Sequence, residues 1–372
     1  MTVTHDDDIS ITIRLDPPPA TRAGFGTVLF LAPLSEASLD GNRVKTYKSL
    51  EEVESDQSSS FLGQSQVDAA AFAFAQEPKP DEIMIGNVDL GGSPAETYAD
   101  GLQEVIDADP SFYGVCAQTR TDTETATLAS AVETHEKPML CAIQSSLSDL
   151  LATPTDPLLD STDLSSVAGN ERTIIEYHDR SGAYADVAHL VGRLGFDPDR
   201  QSAPWDTHLY GAGAAQDPIS YSAPLEGSDR DNLIDNHANA ISSFGSSDHY
   251  LKPGQTAAGR PAYVQLTADW FKTRLETDIA LEVQDASRDG EKIPIGQTGE
   301  TRTRGQVQMA KLVRARFQQG EANGHFVPGS SEIGYPPITS QNITEQTIPL
   351  EGSAVLEAHG HSVTFTFEFE RG

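Results

Sequence analysis

The chain has 372 residues, with 25 Lys and Arg against 56 Asp and Glu, for a net charge of −31. Nucleic acid and anionic membrane surfaces repel such a chain at long range, so neither is expected as a partner. At about 150 residues per domain the length suggests two domains, and the composition, 37% hydrophobic and 22% charged, is that of a globular protein with a core that needs no disulfide staples.

The N-terminus carries Asp6-Asp7-Asp8 and no basic segment, unlike a secretory signal, and no run approaches the roughly 18 apolar residues of a membrane span. The expectation is a protein made in the cytosol that leaves it only by lysis. Residues 9–15 alternate strictly, placing Ile9, Ile11, Ile13 and Leu15 on one face of a strand that has no hairpin partner nearby. Pro17-Pro18-Pro19 then holds the chain extended. Strands are predicted at 27–31, 82–86, 112–117, 139–143 and 173–178, and helices at 67–76, 94–106, 121–133 and 183–194. Apolar strands separated by helices point to a mainly parallel sheet. Gly- and Pro-rich chain at 197–227 closes that unit, and helices follow at 230–242, 267–283 and 300–319. At the far end Val363, Phe365, Phe367 and Phe369 alternate with polar residues as a second isolated strand. The expected fold is therefore α/β: an N-terminal strand arm at 1–20, a mainly parallel α/β domain at 21–227, a helical α+β domain at 228–351 and a C-terminal strand arm at 352–372.

Catalytic signatures are weak. Gly211-Ala212-Gly213 follows a predicted strand at 207–210, but it lacks a third glycine and leads into Asp217-Pro218 rather than a helix, so it reads as a turn. His359 and His361 could share a metal, yet no third ligand stands nearby and Gly360 between them suggests a hairpin. Asp229, Asp231 and Asp235 have Ile234 where a calcium loop needs glycine, and suit a helix N-terminus. Cys116 and Cys141 fall on successive strands, as buried free thiols or, alternatively, a disulfide. No catalytic residue, cofactor or metal is predicted.

Cations are more informative in so acidic a chain. Arg302, Arg304, Lys311, Arg314 and Arg316 crowd into the helix at 300–319, with Arg304, Lys311 and Arg314 near one face and Leu312, Val313 and Phe317 available for the core. Arg314 and Arg316 suit a helix C-terminus, whereas Arg302 and Arg304 oppose the dipole at its start. An acidic partner surface explains them, with a plain solvated face as the alternative.

Several stretches in order resemble the tail sheath subunits of contractile-tailed bacteriophages. Phe25-Gly26-Thr27-Val28-Leu29-Phe30-Leu31 is similar to that family's first core strand, with 46–50 as the following turn. The stretch from Ala69 to Pro80, with its Gln76-Glu77-Pro78-Lys79-Pro80 ending, resembles a family segment that leads into an Ile-x-Ile-Gly strand, here Ile83 to Gly86. Asn236, Asn239, Tyr250, Gly259-Arg260, Asp269-Trp270, Lys292-Ile293-Pro294 and Asn323-Gly324 resemble later landmarks, so coverage is nearly end to end. Ile295-Gly296-Gln297 departs from the more polar turn expected there.

The resemblance implies a non-enzymatic structural subunit of a virion tail, assembled in the host cytoplasm, with the α/β domain outside and the C-terminal domain inside. Such subunits stack as rings around a tail tube into a helical homo-oligomer, meet baseplate and tail terminator proteins, and contract to drive the tube through the host envelope. The arm residues Ile9, Ile11, Ile13, Leu15, Val363, Phe365, Phe367 and Phe369 would then link neighbouring subunits, making few contacts with their own core. Arg302, Arg304, Lys311 and Arg314 would face the tube, and hinges are expected at 17–24 and 349–353. Strand addition between copies is also the physical route by which an isolated strand becomes satisfied. Two alternatives stand beside this reading: a nucleotide-dependent enzyme on a doubly wound fold, or another tail, baseplate or capsid component. The acid excess fits either a salty environment or a polymer that must avoid premature association.

Overall fold

The computed structural model describes residues 6–14, 24–34, 39, 41–59, 61–154, 164–202, 207–209, 221–222, 225–244, 248–252, 254–288, 293–345, 347–356 and 362–370. It divides into a larger unit, residues 22–197 and 203–265, and a smaller one, residues 1–21, 198–202 and 266–372.

After β1 (Asp6–Arg14), the chain lays down β2 (Val28–Ala32), β3 (Val44–Tyr47), α1 (Leu50–Ser58), α2 (Gln64–Phe74), β4 (Ile83–Asn87), α3 (Tyr98–Ala108), β5 (Gly114–Ala117), α4 (Asp122–Thr134), β6 (Leu140–Ser145), β7 (Thr173–Tyr177) and α5 (Ala185–Leu194). β8 (Thr207–Leu209), α6 (Gly227–Asp235), β9 (Ala240–Phe244) and β10 (Asp248–Lys252) complete the larger unit. Six strands form one sheet in the order β3-β4-β2-β5-β6-β7, parallel except for β3, which runs antiparallel along β4. The five parallel strands are buried at every position, because helices cover both faces; hence their continuous apolar runs in place of alternation. The protein is thus a mixed α/β fold built on a mainly parallel sheet.

Local chemistry shifts several element ends. Residues 44–47 form a strand where a turn was expected at 46–50, and the next helix begins only after Ser49, whose hydroxyl accepts from the Glu52 amide. α3 starts at Tyr98 rather than near 94, where Thr97 and Asp100 form a reciprocal capping box. The helix expected at 230–242 ends at Asp235, and His237 adopts a left-handed backbone with φ 56°, after which the chain extends into β9.

Asn239 decides that change. Fully buried, it donates from Nδ2 to the Ile175 and Gln255 carbonyls at 3.0 and 2.9 Å and accepts at Oδ1 from the Gly254 and Gln255 amides, both at 2.8 Å. All its hydrogen-bonding capacity is used to tie residues 239 and 254–255 to β7. The larger unit therefore runs on to residue 265 instead of closing near 227.

Cys116 and Cys141 are free and buried. Val115 lies opposite Cys141 across the β5–β6 pair, so Cys116, one residue on, points to the other face of the sheet and the two thiols cannot bridge. Burial raises the pKa of both.

The helix α7 (Ala262–Arg288) carries the chain into the smaller unit, which continues with α8 (Arg304–Ala322), β11 (Glu332–Gly334), α9 (Ser340–Glu345), β12 (Thr347–Val355) and β13 (Ser362–Glu370). Phe271, Phe317 and Phe326 pack as an aromatic triad, with ring centroids 4.8 to 5.9 Å apart. A Cβ at Gly320 would lie 2.5 Å from the Phe326 ring, so the close approach of helix and ring requires glycine there. The segment 198–202 is clamped into this unit. Asp199 accepts from Trp270 Nε1 and Arg274 Nε, both at 2.9 Å, and from Arg274 Nη2. His325 stacks on Trp270 and donates from Nε2 to the Pro198 carbonyl at 2.7 Å. Burial opposes ionisation of Asp199, but the bonds from Arg274 and Trp270 outweigh it and hold its pKa below the usual value.

Two outcomes are expected. Asn239→Ala leaves buried carbonyls and amides unpaired and should lower stability by about 2 to 4 kcal/mol in urea denaturation. The Asp199 contribution is complete above the unfolded carboxyl pKa, about 3.9, and is lost as pH falls through the depressed folded value. Asp199→Asn should flatten that acid limb when denaturation midpoints are followed between about pH 6 and pH 2.

Candidate assembly surfaces

The smaller unit carries a four-stranded sheet in the order β1-β13-β12-β11. β12 and β13 form an antiparallel hairpin, and β1 runs parallel to β13 over its full nine residues. The register sets Ile9, Ile11 and Ile13 opposite Phe365, Phe367 and Phe369, and Val363 opposite Asp7. The two ends of the chain thus meet. Leu15 lies outside the described residues. Arms that pair with neighbouring subunits and make few contacts with their own core were expected; within one chain β1 and β13 pair with each other, and β13 continues into the body through β12. An open edge presents a row of unsatisfied amides and carbonyls, and a tethered strand of the same chain is the partner at highest local concentration.

The expected C-terminal boundary and hinge also move. Residues 349–353 lie within β12, paired along their length with β13, and residues 347–350 are buried. β12 belongs to the body, and β13 is the strand that ends the chain.

The second surface lies on α8. Met309, Ala310, Val313 and Phe317 are buried, whereas Arg304, Val307, Lys311 and Arg314, spaced three or four residues apart, are exposed along the opposite face. Leu312, expected in the core, is half-buried at the edge. The other two cations have partners in the chain. Arg302 precedes the helix with φ 54°, exposed, and sets its guanidinium 5.1 Å from the centre of the Tyr335 ring. Arg316 forms a two-pronged pair with Asp278 on α7. Between the helices, Glu282 of α7 and Arg304, Val307, Gln308, Lys311 and Leu312 of α8 line an open groove of about 440 Å³. Leu281 beside it is 56% exposed and Val307 39%.

Chemistry-bearing residues in the larger unit serve its packing. Arg120, just beyond β5, donates to both carboxylate oxygens of Asp186 at 3.0 and 3.1 Å and to the Ser181 and Ala117 carbonyls. Gln144, on β6, accepts from the Ala185 amide at 2.8 Å, which caps α5 because Tyr184 before it is left-handed with φ 44°. These groups occupy the carboxyl ends of the parallel strands, the place where doubly wound enzymes bind ligands. Deeper in, Arg193 Nε donates to His189 Nε2 at 3.0 Å, so that nitrogen accepts and Nδ1 carries the proton towards Glu176. Burial raises the Glu176 pKa and lowers that of His189. This cluster was not anticipated, although its signal is present: Asp186, His189 and Arg193 interrupt an otherwise apolar helix at i, i+3 and i+7.

Among the described residues there is no group of three His, Cys, Asp or Glu arranged to hold a metal, and no helix long and apolar enough to cross a membrane. His359, His361 and Gly211 to Gln216 lie outside them. Compared with known proteins, the chain matches no family model and no curated protein sequence.

Arg314 and Arg316 of α8 separate cleanly. Arg316→Ala should lower stability by about 1 to 2 kcal/mol in chemical denaturation through loss of the Asp278 pair, whereas Arg314→Ala should stay within about 0.5 kcal/mol.

Proposed function

We propose that the chain is a structural subunit of a contractile tail sheath that polymerises around a tail tube by exchanging its terminal strands. The observation that carries this reading is the sheet in which the two ends of the chain lie side by side. Among the described residues β1 is paired to β13 alone, and the nine residues 15–23 that follow can span up to roughly 30 Å at about 3.3 Å each. The same register can be satisfied by the β1 of a neighbouring copy with every backbone bond conserved, which is the condition for domain swapping into an open, helical assembly. The larger unit would form the outer body and the smaller one the inner, where the exposed cations Arg304, Lys311 and Arg314 face acidic groups of the tube. Baseplate and tail terminator proteins would cap the polymer in a virion tail assembled in the host cytoplasm.

Contraction then moves subunit bodies while strand pairing persists. Packed cores resist continuous deformation, so the change falls in the connection at 17–24, while 349–353, expected as a second hinge, is strand paired with β13. The alternative of an enzyme on the parallel sheet draws no support from the strand ends, where Arg120, Asp186 and Gln144 are engaged with one another and with backbone.

Full-length protein should give hollow cylinders in negative-stain micrographs. Deleting residues 1–16 should leave a folded monomer that forms none, and cylinders of normal length from the deletion would overturn the role of the arm. Exposed ion pairs contribute about 0 to 1 kcal/mol each, so attachment to the tube depends on repetition around each ring. Arg304→Glu with Lys311→Glu should abolish co-sedimentation of sheath with tubes without lowering the subunit's thermal midpoint.

A further inference from the structure

The four-stranded sheet through which copies would join is itself acidic. Asp6-Asp7-Asp8 opens β1, Glu368 and Glu370 close β13, and Glu351 and Glu332 stand on β12 and β11. Arg14, opposite Glu370, is the only cation on the four strands. An incoming β1 therefore brings net negative charge to a negative sheet, and the body behind it carries most of a total of −31.

Resting on the sheath reading, we propose that strand exchange between copies is gated by ionic strength: at low salt each chain closes its own sheet, and only screening at high salt lets β1 pair with a second copy. Strand pairing is the same in the closed and exchanged forms, so its contribution cancels between them. What differs is the new interface between bodies in the exchanged form, set against the repulsion of two bodies of charge −31. Intrachain closure involves one body and escapes that repulsion. The Debye length is about 8 Å at 0.15 M salt and about 3 Å at 1 M, so repulsion that spans the approach of two subunits at the lower concentration is confined to direct contact at the higher. The dependence is opposite in sign to that of the basic face of α8, whose attraction to an acidic tube weakens as salt rises. Salt would thus favour the polymer while loosening its hold on the tube.

The test uses the full chain in KCl from about 0.05 to 3 M, followed by sedimentation velocity and negative-stain microscopy. Monomer is expected at the low end and cylinders at the high end. A variant that neutralises exposed acids of the body, Glu54→Gln/Glu104→Gln/Asp107→Asn, weakens the repulsion between copies and should lower the KCl concentration at half-assembly. A second body variant, Asp231→Asn/Asp235→Asn on α6, should shift it in the same direction, and circular dichroism verifies that each variant is folded. Cylinders that form as readily at the lowest salt would overturn the gate and leave the sheath reading intact. No cylinders at any concentration would overturn the sheath reading instead. A salt midpoint unmoved in both folded variants would assign the effect to salting-out of apolar surface and overturn the electrostatic gate.

Discussion

The backbone hydrogen-bonding demand of a single strand, β13, organises the smaller unit. A strand has two edges, and β13 satisfies one with β12 and the other with β1, residue for residue over nine positions. Chain order would never bring residues 6–14 to residues 362–370; the open edge does. That edge does not distinguish the β1 of its own chain from that of another copy, because register and side-chain alternation are identical in both. A closed subunit and a linked lattice thus differ little in strand pairing, and the balance passes to weaker terms: the length of the connections, the charge of the bodies and the interface between them.

Polar side chains inside the protein are committed to holding backbone in place. Asn239 fastens an otherwise helix-prone stretch to β7, Gln144 caps a helix whose own preceding residue cannot, and Asp199 anchors five residues of chain in the smaller unit through Trp270 and Arg274. Glu176, His189 and Arg193 form a chain in which a neutral imidazole passes a hydrogen bond between a buried acid and a buried guanidinium. Buried groups of this kind raise the penalty for any rearrangement that would break them, because each would be left unpaired in a low-dielectric interior.

The surface follows the opposite economy of charge. Acids dominate it, and the cations are placed with care: Arg302 and Arg316 are absorbed by Tyr335 and Asp278, leaving Arg304, Lys311 and Arg314 as an exposed line on α8. In a chain of −31 that line is a local reversal of sign, and it borders a groove that the exposed Val307 helps to line.

The sequence by itself determined the periodic elements. Apolar runs at 27–31 and 82–86, bounded by Gly and Pro, read as buried strands, their alternation with helices pointed to a mainly parallel sheet, and the period-two pattern of both termini to further strands. It also placed Arg304, Lys311 and Arg314 on one helix face, since that follows from 3.6 residues per turn. What it left open were the partners. Alternation in residues 9–13 and 363–369 is satisfied by any edge of matching register, so the meeting of the two ends was decided only in three dimensions. A helix was expected to run on through residue 242, and contacts with distant chain, the four bonds of Asn239 and the pairing of β9 with β10, end it earlier. The helix period sets Arg314 and Arg316 on different sides of α8, but only long-range packing decides that the side of Arg316 meets Asp278 across the helix pair and that of Arg314 meets solvent.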